Sequence, residues 1–148
     1  AVNGILFNHE SSLRDERFVT GKIINSAIRI KLNLQEKLYL GNIDIERDWG
    51  AAEDYVEAMQ LMMQSDINED FIIATGVKTS LRTFCDMVFA ELDLDSKDYL
   101  ILDGTKLRPL DLKTSCGDPT KIYNKLNWKA KKSVESLIKD WVRKILYN

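Results

Sequence analysis

Arg47 stands beside Asp48-Trp49, after the charged run Asn42-Ile43-Asp44-Ile45-Glu46 and just before a helix-like segment that starts at Ala51. A guanidinium delivered there into a cleft can grip a diphosphate through paired, charge-assisted hydrogen bonds. The competing reading is a surface salt bridge with Glu46 or Asp48. Arg108-Pro109 follows another strand and turn; it offers a second guanidinium for a phosphate, or an ordinary loop arginine. Lys22 falls in the first turn of a helix, where the macrodipole disfavours a cation. An anion nearby would explain it, and so would plain exposure. His9 closes a short apolar run, and residues at the carboxyl ends of parallel strands line ligand crevices. A lone histidine is also commonly just a hydrogen-bonded structural residue. Lys129, Lys131 and Lys132 read as a solvated basic turn, and Met59, Met62 and Met63 as core.

Other chemistries are missing from the sequence. A dinucleotide or triphosphate loop needs clustered glycines where backbone meets phosphate. The seven glycines lie at 4, 21, 41, 50, 76, 104 and 117, so neither fingerprint occurs. None of the five tyrosines is followed by Lys four residues later, and one histidine excludes His-rich metal motifs. Cys85 and Cys116 have no metal spacing and make no disulfide framework. No catalytic residue and no metal ligand is therefore assigned.

The elements that must position these residues follow from periodicity. Gly4 to Asn8 reads as a buried strand. Residues 13 to 17 read as a loop and Phe18 to about Leu32 as a helix, with Val19, Ile23, Ala27 and Ile30 on one stripe flanked by Ile24 and Ile28. Lys37 to Leu40 is a strand, and Ala51 to Met63 a helix presenting Tyr55, Val56, Met59, Met62 and Met63. Asp70 to Thr75 is a buried strand. Thr79 or Ser80 caps a helix with Leu81, Phe84, Cys85, Val88, Phe89 and Leu92 on one face. Tyr99 to Leu102 is a strand. Asp118-Pro119 opens a short helix, and Ser133 caps a final one whose face is Val134, Leu137, Ile138, Trp141, Val142 and Ile145. Strands alternating with helices argue an α/β fold.

The 148 residues suit one domain-sized unit. Hydrophobic residues at 45% and charged residues at 30% are those of a soluble globular protein. A net charge of −2 gives no overall pull toward nucleic acid or a membrane surface. No apolar run is long enough to span a bilayer. No signal-peptide pattern opens the chain, so a reducing cytoplasm is the expected compartment. The chain opens Ala1-Val2-Asn3 rather than with Met, which reads as an internal start.

Several runs together carry a resemblance. They are Gly4-Ile5-Leu6-Phe7-Asn8-His9-Glu10-Ser11, Phe18-Val19-Thr20, Lys22-Ile23, the segment Leu38 to Met59, Phe71-Ile72-Ile73-Ala74-Thr75-Gly76, Arg108-Pro109, Gly117-Asp118-Pro119-Thr120-Lys121 and Leu126-Asn127-Trp128-Lys129. In these runs the chain resembles the C-terminal portion of the GDP-mannose 4,6-dehydratases, extended short-chain dehydrogenase/reductases. The match covers essentially all 148 residues. The resemblance implies that residues 1–148 give the last strands of an NAD(P)-binding Rossmann-like sheet plus a small α/β substrate lobe. The cofactor-binding half, with its glycines and its catalytic Tyr-x-x-x-Lys, is expected to precede Ala1. It also implies the conversion of GDP-mannose to GDP-4-keto-6-deoxymannose with NADP, toward GDP-fucose and other deoxyhexoses. By resemblance, His9 and Arg14 contact NADP. Asn8, Lys22, Arg47, Arg108 and Asp111 contact the nucleotide sugar, with Arg47 and Arg108 gripping the diphosphate.

Departures from the family pattern lie at the Ser11-Ser12-Leu13-Arg14-Asp15 turn, which lacks a proline and one basic residue. Others are Gly21, Leu107, Asp111 (where a Glu is usual) and Ala130. The resemblance implies a homo-oligomeric full-length parent and a chain that is inactive alone. The alternatives are a non-catalytic nucleotide-sugar-binding or interaction module, or a piece of a related sugar-nucleotide dehydratase or epimerase.

Overall fold

The computed structural model describes residues 2–106 and 112–147. Leu107, Arg108, Pro109 and Asp111, singled out above, lie outside the described residues. Three small sheets, six α-helices and a 3-10 turn at Gly104–Lys106 are found among the described residues. Strand β1 (Gly4–Leu6) pairs in parallel with β5 (Phe71–Ile73). Strand β3 (Leu38–Leu40) pairs in parallel with β7 (Leu100–Leu102). The third sheet is built on β4 (Glu46–Ala51). Its second half runs parallel to β2 (Asn8–Glu10), with Asn8 opposite Trp49, His9 opposite Gly50 and Glu10 opposite Ala51. Its first half lies between antiparallel β6 (Lys78–Ser80) and parallel β8 (Thr114–Ser115).

The long helices follow their sequence signals. Helix α1 (Val19–Lys31) buries Ile23, Ile24, Ala27, Ile28 and Ile30. Helix α3 (Leu81–Glu91) is capped by Ser80, whose Oγ accepts from Thr83 N at 3.0 Å, and buries Leu81, Phe84, Cys85, Val88 and Phe89. Helix α6 (Val134–Leu146) is capped in the same way by Ser133, from Ser136 N at 3.2 Å, and buries Leu137, Ile138, Trp141 and Val142. Their faces form one core together with β3, Ile43, Ile45 and Trp49. A second core joins helix α2 (Ala52–Gln64), β5 and helix α5 (Thr120–Leu126) through Tyr55, Met62, Phe71, Ile73, Ile122 and Trp128. The one-turn helix α4 (Ser96–Tyr99), too short to show any periodicity, leads into β7.

Some expectations change. The charged run through Glu46 does not lead straight into a helix: Glu46 to Ala51 is strand. The first strand is not buried: Ile5 is 53% exposed. On α2 only Met62 of the methionine stripe is core, while Val56, Met59 and Met63 face outward. The α5 helix begins one residue later than expected, at Thr120, yet the Asp118 carboxylate accepts from Thr120 N at 2.9 Å, as a cap should. No described helix is long and apolar enough to cross a membrane. Among the described residues no group of His, Cys, Asp and Glu could hold a metal ion.

Cys85 gives a direct check of the main core. It is fully buried, and burial pushes its thiol from an ordinary value of 9.0 up to about 12. Below pH 9 folded and unfolded chains both keep the proton. Between 9 and 12 the unfolded thiol ionises while the folded one does not, so stability falls by about 1.4 kcal/mol per pH unit. Denaturant melts of wild type and Cys85→Val should therefore run parallel up to pH 9 and converge above it. A constant gap up to pH 11 would count against the buried, neutral thiol.

Candidate functional site

The β2–β4 pairing sets the site. It places His9 opposite Gly50, and the missing side chain there leaves room for Tyr55 from α2. A Cβ on Gly50 would lie 2.4 Å from Tyr55 Cε2. The His9 ring stacks on Tyr55 with centroids 5.1 Å apart. His9 Nδ1 lies 2.8 Å from the Phe7 carbonyl oxygen. A carbonyl only accepts, so Nδ1 carries the hydrogen, and in the neutral ring Nε2 is the acceptor. Two contacts thus fix both the plane and the tautomer of His9.

Arg14 is held at the same place. Its Nε donates to Glu10 Oε2 at 2.6 Å, its Nη2 donates to the His9 carbonyl at 2.5 Å, and its guanidinium lies over the Phe18 ring. Glu10 is almost wholly buried and also accepts from Thr20 Oγ1 at 2.9 Å. Asn8, His9 and Arg14 line one open cleft of about 450 Å³, together with Leu6, Phe7 and Ser115.

Ser115 links that cleft to Arg47, its pairing partner on β4. Arg47 Nη1 donates to the carbonyls of Glu46 at 2.8 Å and Leu112 at 2.7 Å. Two backbone oxygens, one on β4 and one in the segment leading into β8, thus fix where this guanidinium lies. The next side chain on the strand, Asp48, has no exposure at all. Its Oδ1 accepts from Thr75 N at 3.0 Å and Thr75 Oγ1 at 2.6 Å. Its Oδ2 accepts from Gly76 N at 2.9 Å and Gly117 N at 3.3 Å, with the Cys116 thiol at 3.7 Å. Burial and the Asp48 charge both raise the Cys116 thiol above its ordinary range. Burial, with Asp48 and Asp54, does the same for the Tyr55 phenol, whose hydroxyl has no hydrogen-bond partner.

Lys22 stands apart from this cleft. Its Nζ donates to the Tyr39 carbonyl at 2.6 Å, so a backbone oxygen on the neighbouring strand β3 accounts for a cation in the first turn of α1. The structure thus gathers Asn8, His9 and Arg14, pairs Arg47 with Ser115 of their cleft, and sets Lys22 against β3. Arg108 and Asp111 lie outside the described residues. A larger cleft of about 550 Å³ opens between β6 and the starts of α3 and α6. It contains none of the expected ligand residues, and its cations are matched: Lys78 with Glu46, Lys131 with Glu57, and Lys132 with Glu53 and Asp140. Geometry at residues 8–14 therefore outweighs size in choosing the site.

Sequence reading does not single out Glu10, Asp48, Gly50 or Tyr55 as site-forming. The i, i+4 spacing of Glu10 and Arg14 is a usable signal. For Asp48 the signal is only an acid followed by Trp-Gly, in a segment whose charges suit a turn.

A family model described as GDP-mannose 4,6 dehydratase matches residues 1–141. The chain is 46% identical to GDP-mannose 4,6 dehydratase 1 of Arabidopsis thaliana over 139 residues, which covers 94% of the chain and 38% of that relative. It is 42% identical to the GDP-mannose 4,6-dehydratase of Sinorhizobium fredii, covering 99% of the chain and 46% of the relative. The chain thus spans less than half the length of either relative. Among solved structures, RMD from Pseudomonas aeruginosa complexed with NADPH superposes with a TM-score of 0.86 at 17% identity, over 97% of this chain and 48% of that one. That likeness establishes the α/β fold.

Proposed function

The chain belongs to the GDP-mannose 4,6 dehydratase family, and from that premise we propose that it forms the nucleotide-sugar grip and one wall of the nicotinamide-cofactor site of such an enzyme. The observation that carries this reading is the cleft shared by Asn8, His9 and Arg14, joined through Ser115 to Arg47. The complete reaction is the dehydration of GDP-mannose to GDP-4-keto-6-deoxymannose, a hydro-lyase step toward GDP-fucose. NADP would supply hydride exchange to it when bound.

The residues present fit a nicotinamide cofactor. His9 offers Nε2 as an acceptor, suited to a ribose hydroxyl or a carboxamide N–H rather than to a phosphate. Arg14 braces the His9 carbonyl and takes its cofactor role through that contact. Asn8, at the start of β2, faces the sugar. Lys22, Arg108 and Asp111 belong to the grip by family resemblance. The working enzyme is a cytoplasmic homo-oligomer, and residues 1–148 form its C-terminal, substrate-binding portion. This chain alone holds and orients; it does not turn over.

Calorimetric titration with GDP tests the grip. Wild type should bind, and Arg47→Ala should weaken binding by roughly 10- to 100-fold, the worth of one charge-assisted contact to a phosphate. Absence of binding by wild type at millimolar GDP sinks the reading and favours a non-catalytic interaction module. Incubation of the chain with GDP-mannose and NADP should yield no keto-sugar.

A further inference from the structure

We propose that Asp48 is the positioning residue of the diphosphate grip, acting on the Arg47 guanidinium through the chain segment 112–117; this rests on the reading of Arg47 given above. Strand β4 sends Arg47 and Asp48 in different directions, and the two side chains hold opposite ends of one segment. Arg47 Nη1 is bonded to the Leu112 carbonyl at its start. Glu46 N donates to the Lys113 carbonyl at 2.8 Å, and Thr114 and Ser115 pair with Glu46 and Arg47. At its end, Gly117 N donates to Asp48 Oδ2. The strand within the segment is only two residues long, too brief to hold its register by pairing alone. Asp48 supplies the missing anchor.

The chemistry of Asp48 sets it apart from an ordinary buried acid. It receives three backbone N–H groups, a threonine hydroxyl and a thiol, drawn from two separate turns. Both oxygens must accept, which a carboxylate does and an amide cannot. The turn at Thr75–Gly76 follows β5, and the turn at Cys116–Gly117 leads toward α5. Asp48 therefore joins both strand systems directly behind Arg47. An arginine side chain carries much rotamer freedom. Holding its Leu112 partner in place sets the guanidinium before a ligand arrives, as preorganisation requires.

Asp48→Asn is the test, read as affinity for GDP against affinity for GMP. The amide nitrogen would face the N–H groups of Gly76 or Gly117, so segment 112–117 would loosen. GDP affinity should fall at least tenfold while GMP affinity stays within twofold, because only the second phosphate relies on a fixed guanidinium. Equal losses for both nucleotides would mean a merely structural role, and unchanged GDP affinity would dismiss Asp48 altogether. Failure of wild type to bind GDP overturns the grip itself, and this inference with it. If Asp48→Asn does not fold, hydrogen exchange on wild type decides. GDP should slow exchange at Gly76 and Gly117 and GMP should not, since coupling between ligand and anchor is reciprocal. No difference between the two nucleotides rejects the proposal.

Discussion

Gly50→Ala is expected to destabilise the chain by about 3 kcal/mol, near the upper range for overpacking a core. The new methyl would sit 2.4 Å from Tyr55 Cε2, 2.9 Å from Tyr55 Oη and 3.0 Å from Thr75 Cγ2. Tyr55 has no room to yield. It is fully buried, stacked on His9 and met edge-on by Trp128 with centroids 6.2 Å apart. Nor can β4 shift, because Gly50 is paired with His9. Thermal melts should show a drop of roughly 6–12 °C for a chain of this size. The double variant Gly50→Ala, Tyr55→Leu should be more stable than the sum of the single changes, since leucine vacates the space the methyl needs. Tyr55→Phe, by contrast, removes a buried hydroxyl that has no partner, so it should be neutral or slightly stabilising. A Gly50→Ala melt within 2 °C of wild type, a margin below about 1 kcal/mol, would mean that His9 is not locked from beneath.

Periodicity makes α1, α3 and α6 legible, because each buries a stripe repeated over three turns, and in α3 and α6 a serine cap bond also marks the start. The strands are harder. β4 reads Glu-Arg-Asp-Trp-Gly-Ala, a string with neither alternation nor an apolar run. It is a strand because β2, β6 and β8 pair with it, and all three partners are distant in sequence. β6, Lys-Thr-Ser, is equally silent. The reverse error arises at β1 and on the outer face of α2, where apolar residues promise burial that Ile5, Val56 and Met63 do not have. Pattern reports what a residue prefers, while burial depends on what packs beside it.

At the site the same division holds. His9, Asn8 and Arg14 are visible from type, position and family pattern, since they share one strand and the turn after it. Asp48 is not, because its partners are backbone amides 27 to 69 residues away, and amides leave no mark in side-chain identity. Gly50 and Tyr55 are likewise a pair whose meaning exists only once β2 and β4 lie side by side.

Glu10→Ala is expected to destabilise the chain by about 3 kcal/mol, the usual result of breaking a buried ion pair from one side. The carboxylate is 4% exposed and receives both Arg14 Nε and the Thr20 hydroxyl. Its loss leaves a largely covered guanidinium and a buried hydroxyl without their acceptor. Arg14→Ala strips the same pair from the other side and should be costly for the same reason, and it also takes away the cation lying over the Phe18 ring. The double variant should lose much less than the two single losses added together, because removing both charges abolishes the desolvation penalty that each single variant exposes. A coupling of about 1 kcal/mol or more in that cycle is the expected signature. Function adds a second readout. Arg14 holds the His9 carbonyl, so Glu10→Ala should weaken NADP binding in any assembly able to bind it, while GDP affinity, which the proposed grip assigns to Arg47 on β4, should stay close to wild type. Strict additivity would mean that Arg14 and Glu10 merely share a neighbourhood. A parallel loss of GDP affinity would mean that the cofactor wall and the diphosphate grip are one rigid unit rather than two joined through Ser115.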